Sequence, residues 1–127
     1  MYMESTRHIL LVEDESSMYK LISFKLEKAN FKVDIATDGE KALEMFFEKD
    51  ISYDAIILDL FLPVLGGMQV LKKVRENHKE PPILILSAKS QEQDILEGLK
   101  AGANDYLTKP FRPEELMIRL KKLLGEY

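Results

Sequence analysis

The sequence predicts a doubly wound α/β domain, one parallel β-sheet with helices packed on both faces. Three observations carry that expectation. Short apolar runs alternate along the chain with stripes of apolar residues at helical spacing, five of each, joined by short connections. The third and fourth runs, Ala55-Ile-Ile-Leu58 and Ile83-Leu-Ile-Leu86, are apolar throughout, as strands buried on both faces of a parallel sheet must be. The 127 residues amount to one ordinary domain, able to bury roughly two thirds of the surface of its unfolded chain.

The first strand is His8-Ile-Leu-Leu-Val12. A helix follows from Ser16 to about Ala29, where Met18, Leu21, Ile22 and Leu26 recur at helical spacing. Lys25 falls within that arc, where its aliphatic stem can snorkel. Phe31-Lys-Val-Asp-Ile35 alternates as a half-buried second strand, and Asp38-Gly39 turns into a helix with the stripe Ala42, Leu43, Phe46 and Phe47. The third strand is closed by Asp59, and helix three runs from about Gly67 to Glu76 with Val70, Leu71 and Val74 inward. Pro81-Pro82 breaks the chain before the fourth strand. Helix four spans about Gln91 to Lys100, burying Leu96 and Leu99 and stopping at Gly102. Asp105-Tyr-Leu-Thr108 is the fifth strand. Pro113 suits the first turn of helix five, Glu114 and Glu115 favour its positive dipole end, and Leu116, Leu120, Leu123 and Leu124 form its packed face. No linker, repeat or low-complexity segment interrupts the pattern, so residues 1–127 read as a single domain.

Composition narrows the function. A net charge of −4 argues against direct nucleic-acid binding, and Lys72-Lys73 and Lys121-Lys122 read as solvated helix faces. No apolar stretch approaches the ~20 residues that span a bilayer, and the polar opening Met1–Arg7 lacks the apolar segment of a secretory signal. A cytoplasmic location is the expectation, and the absence of cysteine fits a reducing compartment.

In open α/β sheets ligands bind beyond the carboxyl ends of the strands. The residues there are Glu13 and Asp14 after strand one, Asp59 after strand three, Ser87 and Ala88 after strand four, and Lys109 after strand five. Each has an ordinary use in isolation: Asp59 or Ser87 as a cap, Glu13-Asp14-Glu15 as charge for a helix start, Lys109 as a surface lysine. Together they form a coherent set. Three carboxylates persist in one pocket only with a compensating cation, and oxygen ligands from separate loops with open positions suit Mg²⁺ (or Mn²⁺) better than a closed Ca²⁺ cage. With Lys109 as a point charge and Ser87 as a hydrogen-bonding group, the site suits a phosphoryl group, and Asp59 becomes a nucleophile able to form an aspartyl phosphate.

Four segments carry a resemblance over essentially the whole chain: Val12-Glu13-Asp14-Glu15; Asp59-Leu-Phe-Leu-Pro63 with Gly67; Ser87-Ala88; and Tyr106-Leu-Thr-Lys109-Pro110-Phe111. In this order and spacing the chain resembles the receiver domain of two-component response regulators. The resemblance implies a flavodoxin-like (βα)5 sheet of order 2-1-3-4-5, the order recorded for a chemotaxis member of this fold. It implies that Asp59 accepts a phosphoryl group from a sensor histidine kinase or a phosphotransfer protein. Asp14, Asp59 and the Phe61 backbone carbonyl would ligate Mg²⁺ directly and Glu13 through a water. Ser87 and the Ala88 amide would hold phosphate oxygens, Lys109 would pair with the phosphoryl charge, and the Lys109–Pro110 bond would be cis. Ser87 and Tyr106 would form the switch, the ring moving from exposed to buried and altering the face of helix four, strand five and helix five. Self-phosphorylation and self-dephosphorylation would be its only catalysis.

Departures from the family pattern sharpen the expectations. Gly66 replaces a common acid, and the charge set of helix four, strand five and helix five is present at Asp105, Glu115 and Arg119 but replaced at Ile95 and Asn104. A dimer through that face is therefore in question, and Ile95 there could mark a partner surface. Phe61 and Lys89 flank the route of the hydrolytic water, so the bulk of Phe61 should slow dephosphorylation. Two other classes compete: a haloacid-dehalogenase-like phosphatase, which needs an acid where Phe61 stands, and an interaction domain that is never phosphorylated. A flavodoxin-type flavin site would want a hydroxyl- and glycine-rich loop where Glu13-Asp14-Glu15 stands, and no P-loop motif is present. An effector domain could follow Tyr127, or the chain could act alone.

Overall fold

The computed structural model describes residues 6–48 and 50–126, so most of the polar opening stretch and Tyr127 lie outside the described residues. Strands and helices alternate as β1 His8–Val12, α1 Ser16–Lys28, β2 Lys32–Ala36, α2 Gly39–Phe46, β3 Ala55–Asp59, α3 Gly67–Arg75, β4 Ile83–Ser87, α4 Glu92–Lys100, β5 Asp105–Thr108 and α5 Pro113–Leu123. All strand pairs are parallel and the sheet order is β2-β1-β3-β4-β5. This is the doubly wound architecture that the alternation predicted, in the order implied by the resemblance. The order reverses between β1 and β3. Val12 pairs with Leu58 there, so Glu13 and Asp59 leave the sheet side by side.

Successive strand residues point to opposite faces, and the core is accordingly split in two. Leu10, Val12, Ile56, Leu58, Ile83 and Ile85 pack beneath α2 and α3 with Ala42, Val70, Leu71 and Val74. Ile9, Leu11, Ile57, Leu84 and Leu86 pack beneath α1 and α5 with Ile22, Leu26, Leu116 and Leu120. Every residue of β3 and β4 is buried. At about 1.5–3 kcal/mol for each fully buried aliphatic side chain, these two strands form the rigid floor beneath the carboxyl-end loops.

Three helical stripes differ from the periodicity reading. In α1 Leu21 faces solvent and the seam is Met18, Ile22 and Leu26, with Tyr19 half-buried beside it. In α2 the helix ends at Phe46, and Phe47 is an exposed cap residue whose ring lies 4.9 Å from that of Phe46. The largest correction is in α4, where Leu96 and Leu99 are exposed and the inward residues are Ile95 and Gly98. A glycine on the inner line removes the apolar signal that a periodicity count relies on, and shifts the apparent stripe by one residue. Ile95 is partly buried and packs against the core.

Asn104 is exposed, yet its side-chain oxygen is engaged by two donors. Its Oδ1 accepts from the Ile83 N–H at 2.9 Å and from Arg75 Nη2 at 2.9 Å. Arg75, the last residue of α3, also donates from Nε to the Gly102 carbonyl at 2.9 Å and from Nη2 to the Pro81 carbonyl at 2.7 Å. One guanidinium thus ties the α3–β4 connection to the α4–β5 turn, and burial pulls its pKa below the usual arginine value. At the β5–α5 face, Arg119 is satisfied within the chain by Asp105 at 2.9 Å and Glu115 at 3.0 Å.

Candidate functional site

Each site residue is placed by the strand it follows. The Glu13 N–H donates to the Ala36 carbonyl at 3.0 Å, which extends the β1–β2 pairing by one residue and buries the Glu13 side chain to 1% exposure. Its Oε2 accepts from the Glu15 N–H at 3.1 Å. Asp14, next along, is exposed. Asp59 ends β3, paired with Leu86, and is 4% exposed. Its Oδ1 accepts from the Phe61 N–H at 3.1 Å, a contact that turns the chain out of the sheet.

Lys109 arrives from β5. Its N–H donates to the Ser87 carbonyl at 2.8 Å, and its Nζ donates to Glu13 Oε1 at 2.8 Å and to Asp59 Oδ2 at 3.1 Å. The following Lys109–Pro110 bond is cis, and Glu80–Pro81 is a second cis bond. Oxygen atoms of Glu13, Asp14 and Asp59 lie within 4.8 Å of one another. The structure thus brings Glu13, Asp14, Asp59 and Lys109 together, as the sequence reading required. Ser87 ends β4, and Ala88 and Phe61 stand on the loops that follow β4 and β3.

The electrostatics of this cluster are unbalanced. Burial pushes the Glu13 carboxyl above its ordinary value, against the pull of its hydrogen bonds from Lys109 and Glu15. Burial pulls the Lys109 ammonium down, but its bonds to Glu13 and the charge of Asp59 outweigh that and leave it raised. One cation faces three carboxylates, two of them buried, and a hard divalent ion would fit that excess of negative oxygen.

The β4–α4 loop adds a second layer. Ser87 is fully buried, and its Oγ accepts from the Lys89 N–H at 3.0 Å. Tyr106 is 6% exposed, and its hydroxyl donates to the Lys89 carbonyl at 2.8 Å. Burial raises the Tyr106 pKa. The backbone of Lys89 therefore links the two residues read as the switch, a connection with no signal in the sequence because main-chain groups make it. Its ammonium lies 5.4 Å from the centroid of the exposed Phe61 ring, a cation–π contact that links the β4–α4 and β3–α3 loops.

A parallel sheet whose switch point gathers acids from two strands and a lysine from a third has the architecture of a phosphorylation-switch receiver. A family model of the response regulator receiver domain matches residues 9–121, and the chain belongs to that family. Transcriptional regulatory protein SrrA of Staphylococcus aureus strain NCTC 8325 is 42% identical over 119 residues, 94% of this chain and 48% of that protein. The chain therefore spans about half the length of the curated relatives it matches. The receiver domain of Francisella response regulator 1452 superposes with a TM-score of 0.88 at 35% identity, covering 94% of this chain and 98% of that one. The receiver domain of sensor histidine kinase PA1611 of Pseudomonas aeruginosa PAO1, solved with a magnesium ion coordinated in the active site cleft, superposes at 0.84 with 36% identity, covering 95% and 99%.

Domains of this family are signalling switches of two-component systems and not classical enzymes; they work with histidine kinases and effector domains. They bind Mg²⁺ at an acidic site, and this chain carries an acidic cluster of Glu13, Asp14 and Asp59. Among the described residues no helix is long and apolar enough to cross a membrane.

Proposed function

We propose that Asp59 is the phosphoacceptor of a two-component switch, taking its phosphoryl group from the phosphohistidine of a sensor kinase or phosphotransfer protein. One observation carries this reading: Asp59 is a buried carboxylate at the strand-order reversal, held on one oxygen by the Phe61 amide and on the other by Lys109. An oxygen of Asp59 forms the new bond to phosphorus as the donor's P–N bond breaks. Glu13, Asp14, Asp59 and the Phe61 carbonyl would hold Mg²⁺ (or Mn²⁺), with Glu13 acting through water. Bound there, the ion neutralises charge on the phosphoryl oxygens. Lys109 shifts from pairing with Asp59 Oδ2 to pairing with the phosphoryl group, and the Ala88 amide and Ser87 hydroxyl hold its remaining oxygens.

Signalling follows from the Ser87 bond. As Ser87 Oγ moves to donate to a phosphoryl oxygen, its accepted bond from the Lys89 N–H draws on the loop whose carbonyl holds the Tyr106 hydroxyl. The altered surface is that of α4, β5 and α5, which would meet an effector domain or a second copy. The chain acts in the cytoplasm as one receiver module.

Phe61 stands where a haloacid-dehalogenase phosphatase needs its second acid, so the switch is favoured over that enzyme. Incubation with acetyl phosphate and Mg²⁺ should add one phosphoryl group by intact mass, lost in Asp59→Ala. Failure to gain it, or steady turnover of phosphate esters, would overturn the reading.

A further inference from the structure

Gly98 is a buried residue in the last turn of α4, at the point where the helix meets the sheet. Its backbone is ordinary α-helix, so no left-handed conformation calls for glycine. Glycine is also a poor helix former, and alanine would favour α4. What glycine provides here is space. A Cβ at this position would stand 2.9 Å from the terminal methyl of Ile85 and 3.2 Å from both Cδ2 and Cε2 of the Tyr106 ring. The Ile85 methyl is the free end of a flexible side chain and can turn aside. The ring is rigid, buried, and tethered by its hydroxyl to the Lys89 carbonyl.

We propose that Gly98 is a positioning residue for the switch: by leaving the Tyr106 ring a seat against α4, it tilts the resting protein toward the inward ring before any phosphoryl group reaches Asp59. This rests on the reading of Ser87 and Tyr106 as the switch. It goes beyond that reading by making the balance between ring positions a property of this chain's α4. A ligand that selects the inward state binds less tightly in proportion as that state is less populated. An added methyl at 98 penalises the inward ring and leaves an outward ring untouched. It should therefore weaken the capture of a phosphoryl group at a site it does not contact.

The test uses the full chain with 3-fluorotyrosine incorporated, the Tyr106 resonance being identified by its loss in Tyr106→Phe. In the unphosphorylated protein, Gly98→Ala should move that resonance toward the shift of an exposed tyrosine. It should also weaken binding of beryllofluoride with Mg²⁺ severalfold. With Tyr106→Ala as parent, the same Gly98→Ala change should leave beryllofluoride affinity at the parent's value, because no ring remains for the added methyl to displace. An unmoved resonance in Gly98→Ala, or an equal affinity loss in the Tyr106→Ala parent, would overturn the proposal. If beryllofluoride binds no variant, the reading of Asp59 fails, while the fluorine resonance still decides the role of Gly98.

Discussion

Removing the Lys109 ammonium should expose how much of the fold's stability is held hostage by the site. Its Nζ sits 2.8 Å from Glu13 and 3.1 Å from Asp59, and the three side chains are 17%, 1% and 5% exposed. Taking one partner from such a buried arrangement leaves uncompensated charge, a loss of about 3–5 kcal/mol, and the partial exposure of Lys109 favours the lower end. Lys109→Ala should thus cost about 3 kcal/mol above neutral pH. The deficit should depend on pH in a definite direction. Burial already raises the Glu13 carboxyl and Lys109 opposes it, so without the lysine that carboxyl rises further. A carboxyl whose folded pKa lies above its unfolded value, near 4.5, costs stability progressively as pH climbs through that interval. The deficit should be small near pH 5 and full near pH 8, and Mg²⁺ at a hundred times its Kd for the variant should stabilise that variant by about 2.7 kcal/mol over its Mg²⁺-free form. Urea unfolding of both proteins at the two pH values, with and without Mg²⁺, measures all of this. A deficit under about 1 kcal/mol at the higher pH, or one that does not shrink at the lower, would refute the reasoning.

Further outcomes follow from particular contacts. Val64, a β-branched residue held at φ 69 in the exposed β3–α3 loop, carries backbone strain, and Val64→Asn should stabilise by about 0.5–1 kcal/mol in thermal or urea unfolding. Arg75→Lys should cost about 2–3 kcal/mol in urea, since one ammonium cannot serve the acceptors on Gly102, Pro81 and Asn104 that a planar fork serves at once. Phe61→Asn removes the exposed ring two residues beyond Asp59 that the Lys89 ammonium contacts, and should shorten the aspartyl phosphate lifetime severalfold, read as the decay of the phosphorylated mass. An unchanged lifetime would remove Phe61 from that role.

The sheet and the carboxylate cluster were legible because each leaves a local trace. Buried parallel strands are continuous apolar runs, and an acid at the end of such a run is conspicuous. Ile56 to Leu58 followed by Asp59 shows both at once. What escaped the sequence is whatever depends on main-chain atoms or on small residues. The Asp59–Phe61 amide contact and the Lys89 link between Ser87 and Tyr106 are made by backbone groups common to all residues. Gly98 misled the reading of α4 because a missing side chain carries no hydropathy, and Leu96 and Leu99 supplied a false stripe beside it. The Arg75–Asn104 contact also had no sequence signal, since nothing local marks a guanidinium that reaches across 29 residues of chain.

The pairing of Lys109 with Glu13 joins residues 96 positions apart, and its pairing with Asp59 joins residues 50 apart. Lys109 follows β5, an edge strand that pairs with β4 alone. During synthesis the acids therefore emerge long before their counter-charge, and no partly made chain holds the finished pocket. On the proposed function, readiness to react would itself certify that the last strand has docked: a donor reading the assembled cluster would discriminate against nascent, truncated or locally unfolded copies without any separate checkpoint.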